Sequence, residues 1–183
     1  MKDPKRVATG RKSRRKGARN ERAAAKILSS WWDCEFKRTP LSGGWADSNK
    51  ARQDFGASGD LVCPDPSFPF LCEIKSQEGW ELEHLLRHPE TCLIMKWWAQ
   101  ANGETPPGKT PLLLFTRKLL PWFTAFREHK VAEYLVNHRH PVIGFMFFGD
   151  IIYVVELARL TQISKQEIIR ILRPRKGMSD GNP

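Results

Sequence analysis

The chain has 183 residues, which is enough for one globular domain and too few for two of ordinary size. Hydrophobic residues make up 40% of it, but its longest apolar runs, residues 111–115 and 151–155, are far shorter than the roughly 20 residues of a membrane span. The basic N-terminus lacks the apolar stretch of a secretory signal. We therefore expect a soluble cytoplasmic protein with no membrane partner.

The positive charge of the chain is concentrated near its N-terminus. The formal net charge is +10, and residues 1–22 carry ten Lys and Arg residues against Asp3 and Glu21, a net of +8. A block of like charge resists folding and usually marks an interaction tail. We predict a disordered basic arm over residues 1–16, followed by a single domain over residues 17–183.

Nucleic acid is the favoured target of this arm, because each neutralised phosphate releases condensed counterions. A solubility or localisation tail is the alternative, and an anionic membrane surface is disfavoured because no apolar face accompanies the charges. The predicted DNA-binding residues of this region are Arg11, Lys12, Arg14, Arg15, Lys16, Arg19 and Arg22.

A helix is predicted from Gly17 to residue 32. Five of its residues follow helical spacing and form one stripe toward the core: Glu21, Ala24, Ala25, Leu28 and Trp32. Glu21 lies at the inward edge of this stripe, where an unpaired carboxylate is costly. Glu21 is therefore a candidate functional acid.

The rest of the chain alternates between strands and helices. Predicted strands cover residues 34–38, 60–63, 70–75, 111–116, 122–127, 142–148 and 151–155, and predicted helices cover residues 82–87, 92–101, 131–138 and 157–172. Segment 41–59 is rich in Gly, Ser, Asn and Asp, and such long loops are often functional or mobile. The element order indicates an α/β or α+β domain around a central mixed sheet.

The strand at residues 70–75 carries the sequence FLCEIK. Because side chains alternate across a strand, Glu73 and Lys75 lie side by side on one face, opposite a core face of residues 70, 72 and 74. Antiparallel pairing with the strand at residues 60–63 brings Asp60 near Glu73. Two close carboxylates repel, and a divalent cation relieves that repulsion. The pattern predicts a magnesium site, with manganese as an acceptable substitute.

Lys75 and Glu21 complete the predicted centre. Hydrolysis of a phosphodiester needs a water that attacks the phosphorus atom while negative charge builds on the phosphoryl oxygens. A lysine beside this water orients it and stabilises that charge. Glu21 completes the outer metal shell or binds a second ion. The predicted catalytic residues are Glu21, Asp60, Glu73 and Lys75, and the three acids are also the predicted metal ligands.

These residues resemble the PD-(D/E)xK nuclease superfamily, in which a Glu on an N-terminal helix precedes an Asp and then ExK on the next strand. The resemblance rests on the segments GARNERAAAKIL, SGDLVCP and FLCEIKS and covers roughly residues 16–77. Within the superfamily the sequence looks most similar to archaeal-type Holliday junction resolvases and their phage-encoded relatives. Those proteins begin the helix with a basic KG-x-x-x-ER pattern, which matches residues 16–22.

The resemblance implies a restriction-endonuclease-like core and a homodimer. Such a dimer binds four-way DNA junctions and nicks two strands symmetrically with magnesium, in recombination or repair, and in the host cytoplasm if phage-encoded. Arg22, Arg38 and Ser42 carry over as candidates for contacts with the scissile phosphate and the junction. The sequence departs from the pattern at Gly59, where the motif name places Pro, and in the long segment 45–58.

Several alternatives stay open. A restriction-type or repair-type enzyme of the same superfamily shares the chemistry and differs in substrate. A non-catalytic DNA-binding protein, or an RNA-associated basic protein, explains the arm but treats the ExK motif as incidental. Trp97 and Trp98 are interpreted as core, with a dimer surface as the alternative. The four cysteines have no CxxC pair, and no metal binding by Cys or His is expected.

Overall fold

The computed structural model describes the backbone of residues 4–39, 59–147 and 149–173, and the side chains of these ranges from residue 16 onward. Several predictions fall outside the described residues: those for Ser42 and segment 45–58, and those for the side chains of Arg11, Lys12, Arg14 and Arg15. Among the described residues, no helix is long and apolar enough to cross a bilayer.

Six helices and seven strands are seen in these ranges. In chain order they are α1 (Pro4–Trp32), β1 (Lys37–Arg38), β2 (Leu61–Val62), β3 (Phe70–Ser76), α2 (Leu82–Arg87), α3 (Leu93–Glu104), β4 (Thr110–Thr116), β5 (Phe123–Phe126), α4 (His129–Asn137), β6 (Ile143–Phe147), β7 (Asp150–Glu156), α5 (Leu157–Leu160) and α6 (Lys165–Leu172).

The strands form one mixed sheet in the order β1-β2-β3-β4-β5-β7-β6. β3 and β4 pair in parallel over all seven residues of each strand, and every other neighbouring pair is antiparallel. Parallel neighbours need a crossover connection, which α2 and α3 supply. The fold is therefore α/β, with a central mixed sheet flanked by helices, as the sequence predicted. It is the architecture of a PD-(D/E)xK nuclease core.

Helices cover both faces of this sheet and create two cores. On one face α1, α4, α5 and α6 pack over Cys72, Ile74 and Leu112. On the other face α2 and α3 pack over Leu113 and Phe115. The core interpretation of the two adjacent tryptophans in α3 is confirmed, because Trp97 and Trp98 are both buried in the second core.

The predicted inward stripe of α1 is confirmed by burial of its four apolar residues. The helix itself begins at Pro4, within the stretch for which disorder was predicted. Arg, Lys and Ala have high helix propensities, and with Pro4 in the first turn the basic stretch continues the helical pattern of residues 17–32 toward the N-terminus. The division of the chain into an arm and a domain at residue 17 stays a prediction.

The C-terminal helix predicted over residues 157–172 is two helices instead. α5 ends at Leu160, and α6 starts after Ser164, whose hydroxyl accepts a hydrogen bond of 3.2 Å from the backbone N–H of Glu167. Ser164 is thus an N-cap, a role that favours a new helix start over an unbroken helix. The helix predicted over residues 92–101 runs instead from Leu93 to Glu104 and continues through Gly103.

Candidate active site

The hairpin of β2 and β3 positions Asp60. Leu61 pairs with Cys72, and the backbone N–H of Asp60 donates a 2.9 Å hydrogen bond to the Cys72 carbonyl. The Asp60 carboxylate in turn accepts a 2.8 Å hydrogen bond from the backbone N–H of Ile74. Asp60 is therefore bound through both its backbone and its side chain to the strand that carries Glu73 and Lys75.

Gly59 makes this close approach of the chain to β3 feasible. Its φ is +84°, and a Cβ at this position would lie 2.6 Å from the Cys72 carbonyl oxygen. Thr39 donates a side-chain hydrogen bond of 2.8 Å to the Gly59 carbonyl and so holds the peptide in place. Proline, with φ fixed near −65°, cannot adopt this conformation. The structure thus explains why Gly stands where the motif name places Pro.

Glu73 and Lys75 lie on the same face of β3, as their alternation predicted. Glu73 is only 5% exposed, and the Lys75 Nζ lies 2.7 Å from its Oε1. Lys75 also donates a 3.0 Å hydrogen bond to the Oε1 of Gln100 on α3, and Gln100 donates one of 3.1 Å to Glu104. Gln100 thereby fixes the direction of the lysine. The sequence analysis missed it, because a glutamine on a different helix carries no motif.

Helix α1 places Glu21 beside β1. Its carboxylate forms an ion pair with Arg38 of β1, and its side chain is 13% exposed. The preceding residue, Asn20, donates a 2.7 Å hydrogen bond to the hydroxyl of Ser76 at the end of β3. These contacts attach α1 to the strands on either side of Asp60. Arg38, predicted as a phosphate contact, is here the partner of Glu21.

Three of the charged side chains predicted for the site act on the pKa of Asp60. The pKa of Asp60 is raised from 3.8 to about 7. Burial is the largest cause, and the charges of Glu73 and Glu21 contribute to the same increase. The Ile74 N–H and the charge of Lys75 act in the opposite direction. Glu21, Glu73 and Lys75 are therefore each close enough to Asp60 to affect its ionisation.

Comparison with known proteins adds the family. A family described as "Phage putative PDDEXK endonuclease" matches residues 12–170, which include all four residues of the site. The chain belongs to this endonuclease family. It is also similar to Protein D14 of Escherichia phage T5, with 27% identity over 138 residues that cover 72% of this chain and 82% of the phage protein. No solved structure matches the chain.

The endonuclease's acids have the donor chemistry of a magnesium site. Carboxylate oxygens are the protein ligands that Mg²⁺ prefers, and a divalent cation beside the partly buried Asp60 would relieve the repulsion from Glu73 and Glu21. Among the described side chains, no three His, Cys, Asp or Glu residues are grouped as metal ligands. Glu21 instead faces Arg38, and Glu73 faces Lys75.

A basic surface of the endonuclease runs along α1 toward this site. Lys16, Arg19 and Arg22 are exposed on the helix, on the same segment as Asn20 and Glu21. The Nζ of Lys16 lies 3.6 Å from the Oε1 of Glu78, which follows β3. These three predicted DNA-binding residues therefore lie on the helix that contacts the end of β3 through Asn20.

Proposed function

We propose that this member of the endonuclease family hydrolyses DNA phosphodiester bonds with a divalent metal ion, Mg²⁺ by preference and Mn²⁺ as a substitute. The observation that carries the proposal is the position of Asp60. Its partly buried carboxylate is hydrogen-bonded to β3 between Glu73 and Lys75, and the charges of Glu73 and Glu21 raise its pKa. Glu73 is buried and Asp60 and Glu21 are partly buried, and poorly solvated acids that perturb one another's ionisation in this way cluster at functional sites.

In this proposal Asp60 and Glu73 would hold the ion. Glu21 would join the outer shell of that ion or bind a second one. A bound divalent ion polarises the phosphoryl oxygen and lowers the pKa of water. Lys75 orients the attacking water and stabilises the charge that develops on the phosphoryl oxygens, a role for which its contact with Gln100 holds the ammonium in place. Arg38 neutralises Glu21 until DNA and metal are bound.

We further propose that the substrate is branched DNA, and in particular a four-way junction resolved by paired nicks in the cytoplasm of the host cell. The support is the KG-x-x-x-ER pattern at residues 16–22 of α1 and the exposed cations of that helix. A junction is twofold symmetric, and two coordinated nicks require two active sites related by the same symmetry. The proposal therefore includes a homodimer.

The sheet edge formed by β6 is a suitable contact for this dimer. Ile143, Met146 and Ile151 of the β6–β7 hairpin are 37%, 70% and 45% exposed, and β6 is the last strand of the sheet. The segment from residue 141 to residue 155 carries a single charge, on Asp150, in a chain of net charge +10. Two copies that meet through this hairpin therefore experience little charge repulsion.

The experiment is a cleavage assay with Mg²⁺ on a panel that contains a four-way junction, a flap and linear duplex of the same sequence. We expect magnesium-dependent nicking of the junction that is lost in Asp60→Asn and Lys75→Ala. Two exposed variants serve as matched controls, Asp33→Asn directly after α1 and Lys130→Ala on α4, and we expect both to retain activity. Preferred cutting of linear duplex would favour a restriction-type enzyme, and activity of Asp60→Asn equal to that of the wild type would overturn the site assignment.

A further inference from the structure

We infer that Leu119, at the tip of the turn between β4 and β5, is a wedge that inserts between stacked bases of the bound DNA beside the cleavage site. This inference rests on the proposed action on branched DNA and extends it to a residue outside the catalytic centre. The β4–β5 turn comprises residues 117–121 with the sequence Arg-Lys-Leu-Leu-Pro. Leu119 is 93% exposed, more than any other large apolar side chain that the structure describes.

The backbone of Leu119 is unusual as well. Its φ is +67°, in the left-handed region that an L side chain other than Asn or Asp rarely adopts. A turn that served only as a connection would be less strained with Gly or Asn at this position. Strain of this kind persists where the surroundings enforce it, and it occurs preferentially at ligand-binding sites. The turn thus retains an exposed leucine where a small residue would be more stable.

Several contacts make the turn rigid. The backbone N–H of Leu120 donates a 3.2 Å hydrogen bond to the Arg117 carbonyl, which closes the turn. The hydroxyl of Thr116 lies 3.1 Å from the Leu120 carbonyl and 3.2 Å from that of Pro121. The guanidinium of Arg117 lies 5.3 Å from the centre of the Trp80 ring. A rigid support is what an apolar side chain needs to separate two bases without folding back.

The turn lies beside the catalytic strand. β4 pairs with β3 in parallel, with Lys75 opposite Phe115 and Ser76 opposite Thr116, so the turn leaves the sheet where β3 ends. Strand spacing and chain length place the Cα of Leu119 within roughly 18 Å of that of Lys75. At about 3.4 Å per base pair, this distance corresponds to on the order of five base pairs or fewer.

Glu78 joins the turn to the basic helix. Its Oε1 accepts a 3.2 Å hydrogen bond from the backbone N–H of Lys118 and lies 3.6 Å from the Nζ of Lys16 on α1. Leu119 is therefore surrounded by cations: Arg117 and Lys118 on its own turn and Lys16 across Glu78. Apolar side chains that unstack DNA in other proteins project from surfaces whose cations hold the phosphates on either side.

A branch point is the substrate on which such a wedge is most effective. Bases at a branch are stacked less firmly than those within a duplex, so inserting a leucine costs less there, and a mismatch or flexible step has the same advantage. The wedge therefore favours branched over linear DNA without any contact to a base edge. It also brings the phosphates next to the opened step within reach of the catalytic residues.

The test uses the full chain and a four-way junction with 2-aminopurine next to the branch point, in Ca²⁺ so that DNA binds without cleavage. We expect the wild type to raise the 2-aminopurine fluorescence and Leu119→Gly to lose most of that increase. Glycine adopts a positive φ freely, so this variant keeps the turn and has a Tm at least as high as that of the wild type. If its Tm falls, Leu119→Asn, which also tolerates this conformation, replaces it.

Two further variants separate the wedge from general effects. Leu86→Ala removes another exposed leucine, 72% exposed on α2, and is expected to leave the fluorescence unchanged. Leu119→Met keeps an apolar side chain of similar length and is expected to restore the signal. In Mg²⁺, Leu119→Gly is expected to lower the ratio of junction to linear cleavage by about tenfold. A fluorescence increase that persists undiminished in Leu119→Gly would overturn the inference.

The outcomes also distinguish this inference from the proposed function. If the wild type cuts no DNA in Mg²⁺ or Mn²⁺, the nuclease proposal fails, and the fluorescence in Ca²⁺ still reports whether Leu119 opens a base step. If the wild type cuts junctions and Leu119→Gly cuts them with the same preference over linear DNA, the wedge fails and the nuclease proposal stands.

Discussion

The backbone N–H of Ile74 in β3 donates a 2.8 Å hydrogen bond to the carboxylate of Asp60, the residue that precedes β2. A backbone donor cannot rotate away, so the carboxylate is held beside the strand that presents Glu73 and Lys75. The same hydrogen bond is the largest effect that lowers the pKa of Asp60 and so opposes the increase caused by burial. Asp60 is thus fixed in position at a cost in stability, which leads to the first prediction.

Asp60→Asn should make the metal-free protein more stable at neutral and alkaline pH. Because the folded-state pKa is about 7 and the ordinary value is 3.8, the folded protein binds more protons than the unfolded chain between these values, and wild-type stability falls as pH rises through that window. The asparagine side chain of the variant does not ionise, so the stability of the variant does not fall with rising pH for this reason. The difference should be absent below about pH 4 and reach at most about 4 kcal/mol above pH 7. Urea denaturation across pH 4–8 measures it.

Magnesium should reverse this difference, because an ion at Asp60 stabilises the ionised folded state. Asp150→Asn on the exposed β6–β7 turn serves as the control, with parallel stability curves for variant and wild type. Parallel curves for Asp60→Asn would show that the carboxylate is not under strain.

Gln100→Ala should lower the cleavage rate by about tenfold through its effect on Lys75. The glutamine accepts a 3.0 Å hydrogen bond from Lys75. Without this bond, the ion pair with Glu73 is left to hold the ammonium group in position. As a positioning residue, Gln100 should affect kcat more than KM and should alter the pH profile of kcat. Gln100→Glu, which keeps an acceptor, should recover part of the rate. A change confined to KM would indicate a DNA contact.

Gly59→Ala should destabilise the fold by about 1–3 kcal/mol and abolish cleavage. Its new Cβ would meet the Cys72 carbonyl and is strained at a φ of +84°. Gly59→Pro, which restores the motif's proline, should be worse, because proline cannot adopt a positive φ. Gly108→Ala is a suitable control: its φ of +82° is equally strained, but nothing lies within 4 Å of its Cβ. Equal losses in both alanine variants would attribute the effect to φ alone.

Loss of the N-terminal charges should weaken binding to all DNA substrates alike and flatten its salt dependence. Deletion of residues 1–15 removes seven Lys and Arg residues and leaves the site helix from Lys16 onward. Each lost phosphate contact reduces the slope of log K against log salt by about 0.9. Fluorescence anisotropy from 50 to 300 mM salt measures it. A charge-preserving control replaces each Arg of this stretch with Lys. If the deletion variant has the same slope of log K against log salt as the wild type, the segment is not a DNA contact.

The sequence predicted those parts of the site that depend on periodicity. The stripe of α1 identified Glu21, and the alternation of β3 placed Glu73 and Lys75 on one face, because helix and strand geometry repeat at 3.6 and 2 residues. Gln100 and Asn20 were not predicted, since each contacts a residue far away in the chain and no local pattern encodes such a pairing. The break before α6 was also missed, because a single capping serine outweighed an uninterrupted apolar period.

The seven-residue parallel pairing of β3 with β4 has a consequence for folding. A shift of this ladder by one residue would turn Lys75 into the core beneath α1 and bring Ile74 to the catalytic face. Correct pairing of β3 with β4 is therefore required for Glu73 and Lys75 to stay on the side of the sheet where the structure places them. During refolding, we accordingly expect nuclease activity to recover no earlier than the pairing of β3 with β4.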